Sequence, residues 1–256
     1  MTEIRGFYTL WLREVKRYLR DRTRIVGSVV SPLLWLVIFG AGIGGTLGGG
    51  SLAGISYQQF IFPGIVGQTL LFTSMFMGIS VIWDKEFGFM KEILVAPISR
   101  LSIFLGKMIG DSTDALIQGT IVIILGLALG IKFSLAAFLA ALPIMLLITF
   151  GLVSIGLVIA SFMGSLESFG AVQSFINLPL FFLSGALFPL QLLPTWMQWI
   201  SKANPLTYGV DALRTVFLGE VWQPYQVQTL WVDLTIVGVF GLIMITIGTW
   251  AFSRMK

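Results

Sequence analysis

The sequence predicts an all-α integral membrane protein with six transmembrane helices. Three observations support this fold class. Hydrophobic residues make up 56% of the 256 residues, charged residues only 11%, and uncharged runs long enough to cross a bilayer recur along the chain. An ordinary soluble domain has about 25% charged residues, and a helix needs about 20 mostly apolar residues to cross the hydrocarbon core. The composition therefore indicates a chain that presents much of its surface to lipid.

The predicted spans follow the uncharged runs. They lie at residues 25–45, 60–82, 115–131, 133–166, 168–201 and 234–253. Short turns at 130–134 and 163–168 separate the third span from the fourth and the fourth from the fifth. An even number of spans returns both termini to one side of the membrane. We expect residues 1–256 to form a single transmembrane domain.

The distribution of basic residues predicts the orientation, because Lys and Arg concentrate in short cytoplasmic loops. Of the 16 Lys and Arg residues, only Lys132, Lys202 and Arg214 lie outside the amino-terminal segment, the loop after the second span and the carboxy-terminal tail. We therefore expect both termini to be cytoplasmic, in a multi-pass protein of the plasma membrane.

Cysteine and histidine are both absent from the sequence. Their absence excludes disulfide frameworks, thiol nucleophiles and Ser-His-Asp triads, together with nearly all zinc and copper sites. We expect this chain to bind no metal ion and no cofactor. The net charge of +4 favours an anionic partner. Because the basic residues lie at the predicted membrane boundary, that partner is expected to be membrane lipid and not nucleic acid.

A literal GxGxxG occurs at Gly40, Gly42 and Gly45. A dinucleotide-binding fingerprint requires a short strand before it, a helix after it and an acidic residue about 20 positions further on. The uncharged run before Gly40 instead continues back to Arg24, and the next carboxylate is Asp84. We expect this glycine cluster to form the outer end of the first span and a flexible loop, without a bound nucleotide.

The amino-terminal segment, residues 1–24, has the spacing of an amphipathic helix. Its two faces carry Phe7, Leu10, Trp11, Val15, Tyr18 and Leu19 on one side and Arg13, Lys16, Arg17 and Arg20 on the other. This pattern is typical of a helix that lies in the membrane interface with its basic side chains at anionic headgroups. A helix that only anchors the topology fits the same pattern.

The loop at residues 83–107 is the only sizeable cytoplasmic loop that the predicted topology leaves, and it has helical spacing of its own. We expect a short helix that ends at Pro97, with an exposed aromatic face that needs a partner surface. Packing on the bilayer or on the rest of the bundle is the alternative. The expected apolar face consists of Phe87, Met90 and Leu94, and the expected water-facing residues are Lys85, Lys91 and Glu92.

Residues 183–219, on the predicted outer side, contain Pro189, Pro194 and Pro205. Three prolines are too many for one continuous span, so we expect short helices in a broken, re-entrant segment. Asn204 or Thr207 is expected to cap the last of these helices.

The charged residues near the membrane are few. The predicted boundaries place Asp111 and Asp114 at the start of the third span, where the positive end of the helix dipole stabilises carboxylates. No predicted span has an acidic residue near its centre, so a proton or sodium relay lacks its usual groups. The uncharged polar residues of the spans suit an amphiphile or a glycan, although helix packing explains many of them equally well. They are Ser28, Ser31, Gln68, Thr69, Thr73, Ser74, Gln118, Gln173 and Asn177.

Two stretches of the sequence resemble the membrane permeases of the type-2 ABC transporter family. The first, KEFGFMKEILVAPISRLSIFLGK, is similar to the family's cytoplasmic loop at Glu86, Gly88, Pro97, Arg100, Gly106 and Lys107. The second, FFLSGALFPLQLLPTWMQWISKANPLTYGVDALR, is similar to its carboxy-terminal signature at Gly185, Pro189, Asn204, Pro205, Tyr208 and Arg214. Lys85 stands where many members have arginine, which keeps the charge but loses the bidentate geometry.

The resemblance implies a permease subunit without catalytic activity. The chain has no Walker A motif, since Gly106 and Lys107 are followed by Met108 and lack the upstream glycine. ATP and Mg²⁺ are therefore expected on a separate cytoplasmic ATP-binding cassette ATPase. Six spans make half of such a transporter, so a second, identical permease chain is expected. The implied cargo is an amphiphilic drug, a lipid or a glycan, moved outward.

The resemblance also implies roles for individual residues. The residues implied in coupling to the ATPase are Lys85, Glu86, Phe87, Gly88, Met90, Lys91, Leu94, Pro97 and Arg100. The interface helix would assist them through Trp11, Arg13, Lys16, Arg17 and Arg20. The external gate would comprise Gly185, Pro189, Asn204, Pro205, Tyr208 and Arg214.

Two other classes of function remain open for this sequence. A secondary transporter or channel that works alone is disfavoured by the lack of ionisable residues within the spans and of an obvious inverted repeat. A membrane enzyme that acts on lipids would need a cluster of acidic or serine residues at one membrane face. Asp211, Glu220 and Asp233 are scattered in the sequence and do not form one.

Overall fold

The computed structural model describes residues 2–46 and 55–255, and it contains no β-strand among them. The all-α prediction is confirmed for this part of the chain. The helices are α1 (Thr2–Arg20), α2 (Arg22–Thr46), α3 (Tyr57–Phe76), α4 (Ile79–Glu86), α5 (Phe89–Val95), α6 (Arg100–Ala128), α7 (Leu135–Phe162), α8 (Leu166–Phe182), α9 (Thr195–Ala203), α10 (Pro205–Leu218) and α11 (Leu230–Arg254). Two 3₁₀ segments, Leu190–Leu192 before α9 and Gly219–Tyr225 after α10, flank this pair of helices.

Four helical stretches in the described part of the chain are long and apolar enough to cross a membrane. They are Tyr57–Glu86, which joins α3 and α4, Arg100–Ala128, Leu135–Phe162 and Leu230–Arg254. In α2 a shorter apolar stretch covers Val30–Gly40, and α8 has 17 residues. The chain is therefore a multi-pass membrane protein with several apolar helices.

The third long helix, α6, begins about four turns earlier than predicted. It starts at Arg100 because Ser99 caps it, the Ser99 hydroxyl accepting a hydrogen bond from the Ser102 amide at 3.1 Å. Asp111 and Asp114 consequently lie in the interior of α6 and are buried, at 1% and 2% exposure. The prediction that they open the helix is wrong.

The predicted fifth span, residues 168–201, is also shorter than its uncharged run. Helix α8 ends at Phe182, and the residues after it form short helices.

Gly40, Gly42 and Gly45 all lie within α2 (Arg22–Thr46), so they form no phosphate-binding turn between a strand and a helix. The remainder of the predicted glycine loop, residues 47–54, lies outside the described residues.

The long helices surround α3. Of the most apolar 18 residues in Tyr57–Glu86, 83% are buried. The same measure is 17% for α11, which lies at the periphery. The larger hydrophobic core joins α3 to α6, α7 and α10 through residues such as Phe60, Leu70 and Met145. A second core lies around the ends of α4, α6 and α11 and includes Met90 and Phe104. Most of the apolar surface of α11 is not covered by other helices, as is expected of a helix that faces lipid.

Helix α1 runs beside the first half of α6. Leu10 contacts Gly106, where a Cβ would lie 2.9 Å from Leu10 Cβ, and Trp11 Nε1 donates to Thr113 Oγ1 at 3.2 Å. The buried stripe of α1 is Leu10, Glu14 and Tyr18, at the four-residue spacing of one helical face. Leu19, predicted on the apolar face, is instead 56% exposed. One face of α1 is thus fixed by protein contacts, with a carboxylate in its centre.

The first turn of α1 is tied to the start of α6 by Glu3. Its carboxylate accepts hydrogen bonds from the Ser99 amide at 2.8 Å and from the hydroxyls of Ser99 and Ser102. The hydrogen bond from Ser102 is the main reason that the pKa of Glu3 lies below its ordinary value. A carboxylate at a helix amino terminus is also favoured by the helix dipole.

This contact gives a pH-dependence with a defined sign. Because the folded-state pKa of Glu3 is lowered, its contribution is present above the ordinary Glu pKa of about 4.3 and is lost as the pH falls through the folded value. We expect amides 4–10 to exchange hydrogen more slowly in the wild type than in Glu3→Gln at pH 6, with a smaller difference at pH 3. Exchange measured on both proteins at each pH cancels the intrinsic rate change. An equal difference at both pH values would contradict the assignment.

Candidate functional site

The cytoplasmic-loop segment folds as two short helices and not as one. Helix α4 ends at Glu86, and Gly88 adopts a left-handed conformation with φ = 80° before α5 begins at Phe89. A side chain with a Cβ is strained at that angle, so glycine is needed here. The turn separates Phe87, which is 72% exposed, from Met90, which is 2% exposed in the second core. The prediction that Phe87 and Met90 share a face is therefore wrong.

The predicted coupling residues divide into exposed and supporting groups. Those exposed in the structure are Glu86, Phe87, Lys91 and Pro97. Leu94 is partly buried, and Arg100 holds the end of α5 by donating from Nη1 to the Leu94 carbonyl at 3.1 Å. The segment thus presents a charged and aromatic edge on a base packed into the protein.

Lys85 does not face water as predicted. Its ammonium donates to three carbonyls at the carboxyl end of α7, those of Ala160 at 2.9 Å, Ser161 at 2.6 Å and Met163 at 3.2 Å. The last carbonyls of a helix lack partners within it, and the negative end of the helix dipole favours a cation there. The Ala160 carbonyl also accepts from the Met163 amide at 3.3 Å. An ammonium has three donors arranged around one point, which suits this site. Lys85 therefore joins α4 to α7.

A buried charge cluster lies between α1, α4 and α6. Lys107 is completely buried, and its Nζ contacts Asp84 Oδ2 at 2.7 Å and Glu14 Oε1 at 3.0 Å. It also donates to Ser80 Oγ at 3.3 Å. Both carboxylates are 2% exposed, so three charges and one hydroxyl satisfy one another away from solvent. Removal of one partner from such a group leaves an uncompensated buried charge.

Two arginines of α1 close the cluster on its outer side. Arg13 donates from both Nη atoms to Asp84, and Arg17 lies 3.8 Å from Glu14. Burial alone would lower the pKa of Arg13, but the hydrogen bond and charge of Asp84 outweigh it and raise that pKa above its ordinary value. The Arg17 guanidinium also lies 4.5 Å from the centre of the Trp83 ring. Of the predicted interface residues, Lys16 and Arg20 remain exposed.

Sequence reasoning missed Glu14 and Asp84 and placed Lys107 in a water-exposed loop. One signal for Glu14 was present, because it lies midway between Leu10 and Tyr18 on a single helical stripe. A carboxylate within an apolar stripe indicates a buried partner. The sequence does not say which of the basic residues is that partner.

The interior position of Asp111 and Asp114 also changes the comparison between function classes. Both are buried in a helix that is long enough to span a membrane. The argument that no span has an acidic residue near its centre is therefore wrong. Buried carboxylates within a span are functional candidates by default, and a transporter driven by an ion gradient must be tested directly.

The predicted outer segment is held by Arg214. This guanidinium is 3% exposed and donates to the carbonyls of Phe60 at 3.2 Å and Ala186 at 2.7 Å. It also lies 4.0 Å from the centre of the Phe60 ring and 5.0 Å from that of Trp222. Arg214 therefore fixes the loop that contains Gly185 against the first turns of α3.

The other predicted gate residues build the short helices. Asn204 Oδ1 accepts from the Leu206 amide at 3.0 Å, so the prediction of a cap at Asn204 is confirmed. Pro205 occupies the first turn of α10, where its missing N–H is not needed. The Tyr208 hydroxyl donates to the Lys202 carbonyl at 2.6 Å. Pro189 precedes the 3₁₀ turn Leu190–Leu192.

Asp211 ties α10 to the chain that leads into α11. Its carboxylate accepts from Trp222 Nε1 at 2.7 Å and from the amides of Val227 at 2.7 Å and Gln228 at 3.2 Å. Asp233, in the first turn of α11, is also buried. Asp211 and Asp233, distant in the sequence, interact with each other in the structure. Both are closed to solvent, which does not suit a lipid-hydrolysing site.

A cavity of about 420 Å³ lies between α2, α3, α6 and α8. Its apolar wall includes Trp35, Phe72, Phe181 and Phe182, and its polar lining includes six of the uncharged residues noted in the sequence: Ser31, Gln68, Thr69, Thr73, Gln118 and Gln173. Thr73 donates to Gln118 Oε1. Gln68 Oε1 has no hydrogen-bond partner among the described residues. A mostly apolar wall with a few placed polar groups is the usual composition of a binding cavity.

The sequence is similar to one transporter family and to several named proteins. The family model described as "ABC-2 type transporter" matches residues 5–218. The chain is 32% identical over 200 residues to a protein named putative transport permease ycf38 from Cyanophora paradoxa, which covers 77% of this chain and 69% of that protein. It is 28% identical over 243 residues to the inner membrane transport permease YadH of Escherichia coli K12, covering 93% and 89%. It is 29% identical over 198 residues to nodulation protein J of Rhizobium leguminosarum bv. viciae, covering 77% and 75%.

Replacement of Lys107 by methionine tests the buried charge cluster. The substitution leaves two buried carboxylates without their shared cation, so we expect a loss of about 3–5 kcal/mol in unfolding free energy. Thermal denaturation in detergent measures it. Lys132→Met, at an exposed lysine, is the control and is expected to stay within about 0.5 kcal/mol of the wild type. The double variant Glu14→Gln/Lys107→Met should recover part of the loss. No recovery would show that the ion pairs are not its cause.

Gly64→Ala tests the contact between α3 and the outer segment. A Cβ at Gly64 would lie 2.4 Å from the Ala186 carbonyl oxygen, which Arg214 holds in place. Overpacking of this kind costs about 1–3 kcal/mol, so the melting temperature in detergent should fall. Gly170→Ala, in α8 with no atom within 4 Å of the added methyl, should be neutral or gain up to about 1 kcal/mol. Equal melting temperatures for the two variants would contradict the close approach.

Proposed function

The chain belongs to the ABC-2 type transporter family, and on that premise we propose that it is the permease subunit of an ATP-driven exporter. The observation that carries the proposal is the family match over residues 5–218 together with relatives named as transport permeases. Permeases of this kind provide the membrane path and leave ATP hydrolysis to another polypeptide. ATP and Mg²⁺ are accordingly bound by partner ATPase subunits and not by this chain.

In the proposed topology the chain crosses the plasma membrane six times, through α2, α3–α4, α6, α7, α8 and α11. The concentration of basic residues in α1 and in the segment after α4 supports cytoplasmic termini. Six spans form half of the transporter, and a second copy of this chain supplies the other half. The apolar surface of α2 and α8, which includes Leu34, Ile38 and Phe175 at 53%, 60% and 80% exposure, suits contact with lipid or with that second copy.

The proposed contact with the ATPase is the exposed edge of α4 and α5. Glu86 and Phe87 are exposed there, two residues beyond Asp84 of the buried charge cluster. A force applied at this edge acts on α4, and Lys107 and Lys85 join α4 to α6 and to the end of α7. Rigid links of this kind allow a displacement at the edge to move the long helices.

The proposed transport path runs along the 420 Å³ cavity. Its aromatic wall suits the apolar part of an amphiphile, and its uncharged polar lining suits a hydroxyl or amide group of the cargo. Among the described residues, no charged side chain lines this cavity, which supports a neutral or amphiphilic cargo. The segment held by Arg214, from Gly185 to Tyr208, would close the outer end of the path.

ATPase activity of the reconstituted complex tests the proposal. The purified chain in lipid should hydrolyse no ATP alone, and it should co-purify with and stimulate the ATP-binding cassette ATPase encoded beside it. In Glu86→Ala/Phe87→Ala we expect co-purification and stimulated activity to fall about tenfold or more, since exposed anchor residues carry most of the affinity of an interface.

The matched control is Glu220→Ala/Val221→Ala, a second exposed glutamate and hydrophobic pair in the 3₁₀ segment Gly219–Tyr225. It should leave both readouts unchanged. Flux driven by an ion gradient in vesicles without any ATPase, abolished by Asp111→Asn or Asp114→Asn, would overturn the proposal and favour a stand-alone transporter.

A further inference from the structure

A groove of about 470 Å³ lies between α1 and the α4–α5 segment. It is distinct from the cavity between α2, α3, α6 and α8, since the two share no lining residue in the described part of the chain. The residues that line it are Arg13, Lys16, Arg17, Arg20, Trp83, Asp84, Phe87 and Phe89. Four are basic, three aromatic and one acidic, which is an unusual lining for a surface that meets only water.

The groove has a net positive charge, even when its one carboxylate is counted against the four basic residues. Asp84, the one acidic lining residue, is already held by Arg13 and by Lys107 behind it. Lys16 and Arg20 are exposed and form no ion pair among the described residues. Two cations are therefore available to an anion that enters the groove, and a phosphate accepts hydrogen bonds from both.

The aromatic residues provide an apolar wall beside these cations. The Arg17 guanidinium carbon lies 4.5 Å from the centre of the Trp83 ring, and the Arg13 guanidinium carbon lies 5.8 Å from the centre of the Phe89 ring. Phe87 and Phe89 are 72% and 51% exposed. Exposed rings next to basic residues are the arrangement found at the level of lipid headgroups, where an amphipathic ligand has one charged end and one apolar end.

The position of the groove on the chain selects the type of ligand. Arg20 ends α1, and α2 begins two residues later. Trp83 lies in the last turn of the candidate span Tyr57–Glu86. The groove thus lies where an apolar helix begins and a membrane span ends, which is the headgroup region. A soluble acidic peptide has no reason to be confined to that level.

From these observations we propose that the groove between α1 and α4–α5 binds the phosphate headgroup of an anionic phospholipid. The phosphate contacts Lys16 and Arg20, and the glycerol and upper acyl chain pack against Trp83 and Phe89, which leaves Phe87 to the proposed contact with the ATPase. The bound lipid connects α1 to α5. This inference concerns the chain alone and does not depend on the proposed transport function.

Native mass spectrometry of the full chain in detergent tests the site, with phosphatidylglycerol and phosphatidylcholine of matched acyl chains as probes. We expect one phosphatidylglycerol molecule to bind in preference to phosphatidylcholine. In Lys16→Gln/Arg20→Gln its affinity should fall about 30-fold, since each basic residue near an anionic surface contributes roughly fivefold. The single variants should each give about fivefold, which provides a second measurement should the double variant be poorly folded.

The control is Lys132→Gln/Lys202→Gln, which removes the same charge from exposed lysines outside the groove and should leave the affinity unchanged. Equal loss in the control, or equal binding of the two lipids, would overturn the proposal. Inorganic phosphate that binds as tightly as phosphatidylglycerol would identify a free-anion site and overturn it as well. Unchanged lipid affinity together with lost ATPase co-purification in Lys16→Gln/Arg20→Gln would assign the groove to a protein partner instead.

Discussion

The arrangement of this protein at its predicted cytoplasmic end depends on the burial of one lysine. Lys107 is removed from water entirely, which is strongly unfavourable for an isolated ammonium and is offset only because Glu14 and Asp84 lie within 3.0 Å and 2.7 Å. These partners come from α1 and α4, so the position of the cation determines the positions of three helices at once. A hydrophobic residue in the same place would allow them to slide, whereas ion pairs and hydrogen bonds have one geometry. The exposed edge at Glu86 and Phe87 therefore rests on a base with little freedom to shift.

A second buried cation has the same effect at the other end of the molecule. Arg214 joins the carbonyls of Phe60 and Ala186, and so fixes the short helices against the start of α3. The run Tyr57–Glu86, which joins α3 and α4, is thus held near both ends by charged groups, while the cavity along α3 is lined by uncharged polar and aromatic residues. Charged contacts hold the framework, and uncharged polar and aromatic groups face the cavity. This division suits the proposed path for an amphiphile, which must bind and then leave.

The sequence predicted those parts of the site that local chemistry controls. The cap at Asn204 and the helix breaks at the prolines of 183–219 follow from the conformational limits of single residues. The turn at Gly88 was not predicted, because Phe87, Met90 and Leu94 were expected on one continuous helix. Contacts between distant segments were not predictable in this way. Lys85 looked like a water-facing residue of an amphipathic helix, yet it caps α7, some 75 residues further along the chain. Asp111 and Asp114 looked like the start of a helix because the uncharged run begins after them, but the helix itself begins at the Ser99 cap.

By itself, the sequence determined that this is an all-α membrane protein, that its amino-terminal helix is amphipathic and that no cysteine or histidine chemistry is available to it. Composition and periodicity are enough for these conclusions, because the hydrophobic effect and helix geometry act on every residue in the same way. Only the tertiary structure decided which charges are buried, since a charge can leave water only where an opposite charge or a hydrogen bond meets it. Glu14 and Lys107 are 93 residues apart, and only the packing of α1 along α6 makes them partners.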